Sequence, residues 1–268
     1  MISLGICSQK GGVGKTTVAL NVAYAFARRG WKTTLVDLDP QGSVGLSLSE
    51  NVANANGIAQ IVTGECGLSE ALIQTRLPEL SLLPVGHQAT KIFSKHYDEI
   101  VRGSALYAIF DQPPLQAMDL LILDTPSGLD GPTLGAIRVS QHLLVPVQAE
   151  PLSVRSLPSL IETLEGINED GIDVSVAGVL LTMVNTRIEE SVALEEEMKT
   201  LLPEDVIMPV SIPRSTSFWQ ASARGVPLGL LRNSPPQAAL FDQCASELEA
   251  RIGLLNEDSD EEEVSLVD

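Results

Sequence analysis

Along the chain, short unbroken apolar runs alternate with longer segments whose apolar positions recur at helical spacing. The runs fall at residues 2–7, 33–37, 80–84, 120–124, 143–147, 176–183 and 206–212. Continuous rather than alternating apolarity is the pattern of strands buried on both faces, and each run is read as a strand. The intervening periodicity predicts helices near 16–29, 88–101, 132–140, 152–168, 189–201, 216–224 and 235–253. Strands alternating with helices fold as a mainly parallel, twisted sheet with helices on both faces, so the expected fold class is α/β. Residues 51–75 are the least regular and are expected to hold short surface helices. Ligands of such sheets bind beyond the carboxyl ends of the strands, which is where candidate chemistry belongs.

No internal repeat or linker divides the chain. The pattern predicts one domain over residues 1–255 and an acidic, disordered tail over 256–268. With 268 residues and 44% apolar composition, one α/β core is within reach. No apolar run approaches the ~18 residues of a membrane-spanning helix. The first strand starts without a basic region or cleavage site, so no signal peptide is expected. Cys7, Cys66 and Cys244 are odd in number and far apart, which suggests a reducing cytoplasm without disulfides or an intrachain zinc or iron–sulfur site. The formal charge is −18, and removing the seven acids from Glu257 onward leaves −11. Nucleic acid would therefore have to be met by a local basic patch.

The segment Ser8-Gln9-Lys10-Gly11-Gly12-Val13-Gly14-Lys15-Thr16-Thr17 joins the first strand to the first helix. A glycine-rich loop in that context is a phosphate cradle. Glycines let backbone N–H groups converge on phosphate oxygens, and the helix N-terminus adds partial positive charge. Lys15 is placed to reach the β- and γ-phosphates of a nucleoside triphosphate, and Thr16 to offer its hydroxyl to Mg²⁺. The usual spacing requires glycine at position 9. This chain has Gln9 there and Lys10 ahead of the first glycine.

Two further strand ends carry carboxylates. Asp37 and Asp39 lie on one side of an extended chain before Pro40-Gln41-Gly42, where they could organise a Mg²⁺ shell and an attacking water. Asp124 ends the apolar run from Leu120 and can hold a water ligand of Mg²⁺ beside Thr16.

Residues 10–16 resemble the deviant Walker A loop, K-G-G-x-G-K-[ST], of the ParA/MinD family of ATPases. The resemblance continues in order to Arg232. Asp37-Leu38-Asp39-Pro40-Gln41-Gly42 resembles the family's D-x-D-P-Q-G switch. Asp124-Thr125-Pro126-Ser127 resembles its D-x-P-P switch, with Ser127 at the second proline. Residues 144–150, ending in Gln148 and Glu150, resemble V-I-P-V-Q-x-E, and residues 178–183 resemble G-V-L-L-T-M. Ile212-Pro213-Arg214 and Gly225-Val226-Pro227 resemble late I-P-R and G-x-P segments.

The resemblance implies a P-loop ATPase that takes ATP and Mg²⁺. Lys10, Lys15 and Asp39 would be catalytic, with Asp39 positioning the water. Lys10, Gly11, Gly12, Val13, Gly14, Lys15, Thr16 and Thr17 would bind the phosphates. Met183, Asn185, Pro213 and Arg214 would lie near adenine, although Met183 reads equally well as core. Thr16, Asp37 and Asp124 would hold Mg²⁺, partly through water, with loop fixation the other role open to Asp37. Two ATP-bound subunits would face each other as a homodimer, Lys10 reaching across to the partner's phosphates.

The expected function is an ATP-dependent switch that binds nonspecific double-stranded DNA through Arg187, Arg214, Arg224 and Arg232. An adaptor on a large cargo would stimulate its hydrolysis, and it would act in the cytoplasm on the nucleoid. Solvated surface arginines are the plain alternative at each of those four positions. Ser217, where many relatives carry a basic residue, and the acidity support a second reading, a regulatory or scaffold protein acting on a protein partner without DNA. No membrane partner is expected, because Arg251-Ile252-Gly253-Leu254-Leu255 is too short for an anchoring helix and acids follow it. Iron–sulfur relatives need paired cysteines, kinase relatives need tail tyrosines, and operator binders carry an N-terminal helix-turn-helix, none of which this sequence offers.

Overall fold

The computed structural model describes residues 1–150 and 157–254. Among the described residues eight strands form one sheet: β1 (Ile2–Ile6), β2 (Thr33–Asp37), β3 (Ile73–Gln74), β4 (Leu80–Leu83), β5 (Leu120–Asp124), β6 (His142–Gln148), β7 (Ser175–Val184) and β8 (Ile207–Pro213). Their spatial order is β3-β4-β2-β5-β1-β6-β7-β8, parallel throughout except for the β3–β4 pair.

Among the described residues the helices are α1 (Lys15–Arg28), α2 (Ser43–Leu48), α3 (Glu50–Ala53), α4 (Ile58–Thr63), α5 (Leu68–Ala71), α6 (Ala89–Lys95), α7 (Tyr97–Val101), α8 (Ser104–Phe110), α9 (Pro113–Gln116), α10 (Gly131–Val139), α11 (Leu157–Glu169), α12 (Glu189–Leu201), α13 (Thr216–Arg224) and α14 (Pro236–Arg251).

The unbroken apolar runs are explained by burial from two sides: every residue of β2 and β5 is buried. Leu4, Ile6, Leu35, Ile122, Leu144 and Leu180 pack with Val22 and Phe26 of α1 and Phe241 and Leu248 of α14. On the opposite face Val36, Leu83, Leu121 and Leu123 pack with Ile58, Phe93, Ile100 and Leu106. Farther along that face Leu143, Val145, Val147 and Leu181 meet Ile137, Leu160, Leu164 and Met198. Side chains alternating between two covered faces make this a layered α/β structure.

Several expectations change. Strand β3 arises where no apolar run marked it. Two residues suffice because the Gln74 amide donates to the carbonyls of Leu77, Pro78 and Leu80, closing the hairpin. The segment 51–75 is not confined to the surface: Ile58, Ala59 and Leu68 are buried, and buried Gln60 is satisfied by Gly57 N–H and the His87 carbonyl. The helix expected over 88–101 is two, α6 and α7, parted at His96, whose φ of −104° and ψ of 31° leave the helical region. Helix α8, capped by Gly103, and helix α9, opened by Pro113, lacked enough length for a periodic signal. Positions 152–156 of the expected 152–168 helix, and the tail at 256–268, lie outside the described residues.

Candidate nucleotide site

The central strands end level with one another. Ile6 registers with Asp124, and Asp37 with Asp124 on the other side. The loop after β1 and the carboxylates ending β2 and β5 therefore share one edge of the sheet, next to β1, where the chain stops building toward β4 and turns toward β8. A crevice forms at such a point in open parallel sheets.

The loop at 8–14 is held from three sides. Thr182 donates its hydroxyl to the Val13 carbonyl at 2.9 Å. Thr125 donates to the Ile6 carbonyl at 2.9 Å, and Gly128 N–H to the Ser8 carbonyl at 3.3 Å. Gly14, at φ 93°, is the N-cap of α1; that left-handed conformation suits glycine. No side chain caps this helix start and its first turn holds no acid, so its N–H groups point into the site without an internal competitor.

Lys15 is only 7% exposed. Burial lowers its pKa, while Asp124 and then Asp39 oppose the shift, which places this ammonium among the carboxylates. Cys7 beneath the loop is fully buried, and burial pushes its thiol up to about 12, so it is no nucleophile here.

The three aspartates differ. Asp37 is fully buried and accepts Asp39 N–H and Val44 N–H, both at 3.0 Å, one on each oxygen. Burial carries its carboxyl up to about 7 against those bonds. Of the two roles expected of Asp37, fixing the loop is the one its hydrogen bonds supply. Asp39 is half-buried and accepts Gln41 N–H at 2.9 Å and the Ser43 hydroxyl at 3.2 Å, so the start of α2 orients it.

Asp124 is fully buried and neither carboxylate oxygen has a well-formed hydrogen bond. Burial and then Asp37 push its carboxyl well above the ordinary range; Thr16 and Lys15 pull the other way. A buried carboxylate left this way beside a hydroxyl and a cation fits a divalent ion. Among the described residues no cluster of three or more His, Cys, Asp or Glu side chains could hold a metal unaided. Thr16 and Asp124 would thus share the ion with phosphate and water, the manner of Mg²⁺ rather than of zinc.

The loop's two lysines diverge. Lys10 is 34% exposed and its Nζ lies 3.1 Å from Oε2 of Glu150. Glu150 also accepts from Gln148 at 2.6 Å and lies 3.7 Å from Arg214.

A cleft of about 750 Å³ runs from Val13, Gly14 and Thr17 to Pro213 and Arg214. Met183, Asn185 and Arg187 line it as well. Met183 adopts φ 55°, a strained conformation for a side-chain-bearing residue, at the end of β7 beside Gly14. Arg224 and Arg232 are exposed and lie outside the lining, so the four arginines are not gathered at the cleft. Sequence reasoning gave no site role to Thr182, Ser43, Phe218 or Trp219; Thr182 stood inside the 178–183 resemblance, and the tryptophan, a large aromatic in a polar helix, also left a readable signal.

Comparisons with known proteins place the chain by family and fold. The AAA domain family model matches residues 1–176. The chain is 31% identical to a chromosome-partitioning ATPase, Soj, of Thermus thermophilus, covering 93% of this chain and 96% of that one. It is 28% identical to the sporulation initiation inhibitor protein Soj of Bacillus subtilis, over 92% and 98%. A solved ATP complex of Cyanothece McdA superposes with a TM-score of 0.79 at 22% identity, over 96% of this chain and 98% of that one, and so shares the fold.

Proposed function

The chain belongs to the ParA family of partition and positioning ATPases, and on that premise we propose that it is a switch whose ATP-bound form is a homodimer. Its activity is ATP hydrolysis with ATP and Mg²⁺ as ligands. Bound Mg²⁺ would offset phosphate charge and orient the triphosphate. Around it this chain's residues divide the work. The loop N–H groups and Lys15 hold the phosphates, Thr16 and Asp124 hold the ion's shell, and Asp39 sets the attacking water.

One observation carries the dimer reading. Lys15 is buried in its own site, whereas Lys10, five residues earlier, lies at the rim on Glu150. A rim cation that exchanges a carboxylate for the phosphates of a facing subunit would couple nucleotide state to association. Loss of the γ-phosphate on hydrolysis would then weaken the seam.

We read the dimer as a nonspecific DNA binder on the nucleoid, in the cytoplasm, stimulated by an adaptor on a large cargo. Chromosome partitioning in the Thermus relative supports that reading. A second reading, action on a protein partner without DNA, is favoured by α12, which follows Arg187 with five glutamates and one lysine. Charge reversal of Arg187, Arg214, Arg224 and Arg232 separates the two. Loss of ATP-dependent, salt-sensitive duplex binding with dimerisation intact supports the first, and no change supports the second. The dimer itself is tested with Lys10→Ala. Calorimetry should show ADP binding retained and light scattering the ATP-dependent dimer lost; a dimer that survives sinks the reading.

A further inference from the structure

We propose that Trp219 is the base-stacking residue of the nucleotide site, its indole lying against the purine of bound ATP or ADP. The proposal rests on the cleft being the nucleotide site. Trp219 is 75% exposed, the most exposed large apolar side chain among the described residues, yet it lines that cleft. An indole left in water at a cavity mouth marks contact with a ligand or partner more than it marks core packing.

The cleft itself says which end takes which part of the nucleotide. Its inner end is the phosphate loop at Val13 and Gly14, where the uncapped start of α1 leaves N–H groups for a phosphate. A base carried by phosphates fixed there must extend toward the other end, formed by the end of β8 and the start of α13. That start is firmly set. Ser215 caps it by accepting Ser217 N–H at 3.2 Å, and Phe218 is held edge-on against Phe241 of α14, with centroids 6.4 Å apart and rings at 80°.

Phe218 is thus committed to the wall, and Trp219, one residue on and rotated about 100° around the helix, is the aromatic face left over. Asn185 and Arg214 stand in the same lining with donors and acceptors for a base edge. Stacking on an aromatic face is strong for any base and needs no hydrogen bond of its own.

The test compares wild type with Trp219→Ala and Trp219→Phe by calorimetry, using ADP with Mg²⁺ and, as a base-free probe, inorganic tripolyphosphate. ADP avoids any contact that depends on the γ-phosphate. The alanine variant should bind ADP about tenfold more weakly, the size of one base–aromatic stack, and the phenylalanine variant within about threefold of wild type. Tripolyphosphate should bind all three alike. Intrinsic fluorescence of wild type should change on ADP addition, and that of Trp219→Phe should not.

Unchanged ADP affinity in Trp219→Ala overturns the proposal, as does an equal loss for tripolyphosphate. A fluorescence change that needs ATP and grows with protein concentration also overturns it, placing Trp219 at the subunit seam instead. If wild type binds tripolyphosphate and not ADP, the cleft fails as a nucleotide site, and the proposal falls with that reading. Should Trp219→Ala not fold, Trp219→Phe and the fluorescence arm still decide.

Discussion

At the inner end of the site, behind the cleft's own lining, Lys15, Asp37 and Asp124 are buried, and the loop and the strand end before it hang from Thr182, Thr125 and Gly128; at the outer end Trp219 stands in solvent and Arg214 leans on Glu150. The inner end consists of backbone donors and carboxylates at strand ends, with little freedom to move. The outer end consists of long side chains on elements that arrive late in the chain. Charge on a phosphate is the same in every nucleotide, so its cradle can be rigid and local. The rest of the ligand, and any facing subunit, is met by side chains that can rearrange.

The largest effect should come from severing chemistry at the inner end alone. Asp39→Ala is expected to lower ATP turnover by at least about 100-fold, the low side of what a positioned carboxylate contributes. ATP binding should persist, since Asp39 contacts Gln41 and Ser43 within the chain. Asp39→Asn removes the charge but keeps Oδ1 for the Gln41 N–H, and its amide nitrogen can donate to the Ser43 hydroxyl in place of accepting from it, so it should match the alanine variant in turnover and wild type in stability. Phosphate release and nucleotide affinity, measured side by side, decide it. Retained turnover in both variants would move the water-positioning role to another group.

The two ends are joined at one close contact, and breaking it should have the next largest effect. Gly225 ends α13 at φ 63°, and a Cβ there would sit 2.0 Å from the Leu48 carbonyl oxygen of α2. Helix α2 follows the Asp39 loop, so this contact ties the outer helix to the catalytic turn. Gly225→Ala combines left-handed strain with a backbone clash and should destabilise by about 3 kcal/mol, lowering Tm by roughly 8 °C. Thermal unfolding without nucleotide measures this directly. An unchanged Tm would mean that the two ends are not packed together there.

The same division decides what could be read from the residues. The phosphate loop, Asp37, Asp39 and Asp124 were legible because each lies at the end of an apolar run, and a parallel sheet lines up such ends without long-range detail. Strands β2 and β5 match their runs to the residue, since burial on both faces leaves no polar position to blur them. The outer end depends on contacts between remote segments. Phe218 meets Phe241, Gly225 meets Leu48, and Thr182 reaches Val13, and none of these pairs is adjacent in sequence. Helices α8 and α9 escaped for a related reason: four to seven residues carry too few apolar positions to establish a period.

The smallest expected effect probes how closed the inner end is. Cys7 lies under the phosphate loop and Cys244 on α14. Both are fully buried, and burial pushes both thiols up to about 12. Cys66 is partly exposed; burial, then Glu70 and Glu65, raise its thiol as well. A raised thiol pKa means less thiolate at a given pH, so Cys66 should react slowly at pH 7 and faster as pH rises toward 9. At pH 8 a thiol with a pKa near 12 is thiolate in only about one molecule in ten thousand, before access is counted. A thiol-directed reagent should therefore modify one cysteine in the native protein and three in denaturant, with mass spectrometry placing the first at Cys66. Adding ADP and Mg²⁺ should leave that native count at one. Modification of Cys7 in the native state would show that the inner end opens on the labelling timescale, and the contrast between a fixed phosphate cradle and an adaptable outer end would not stand.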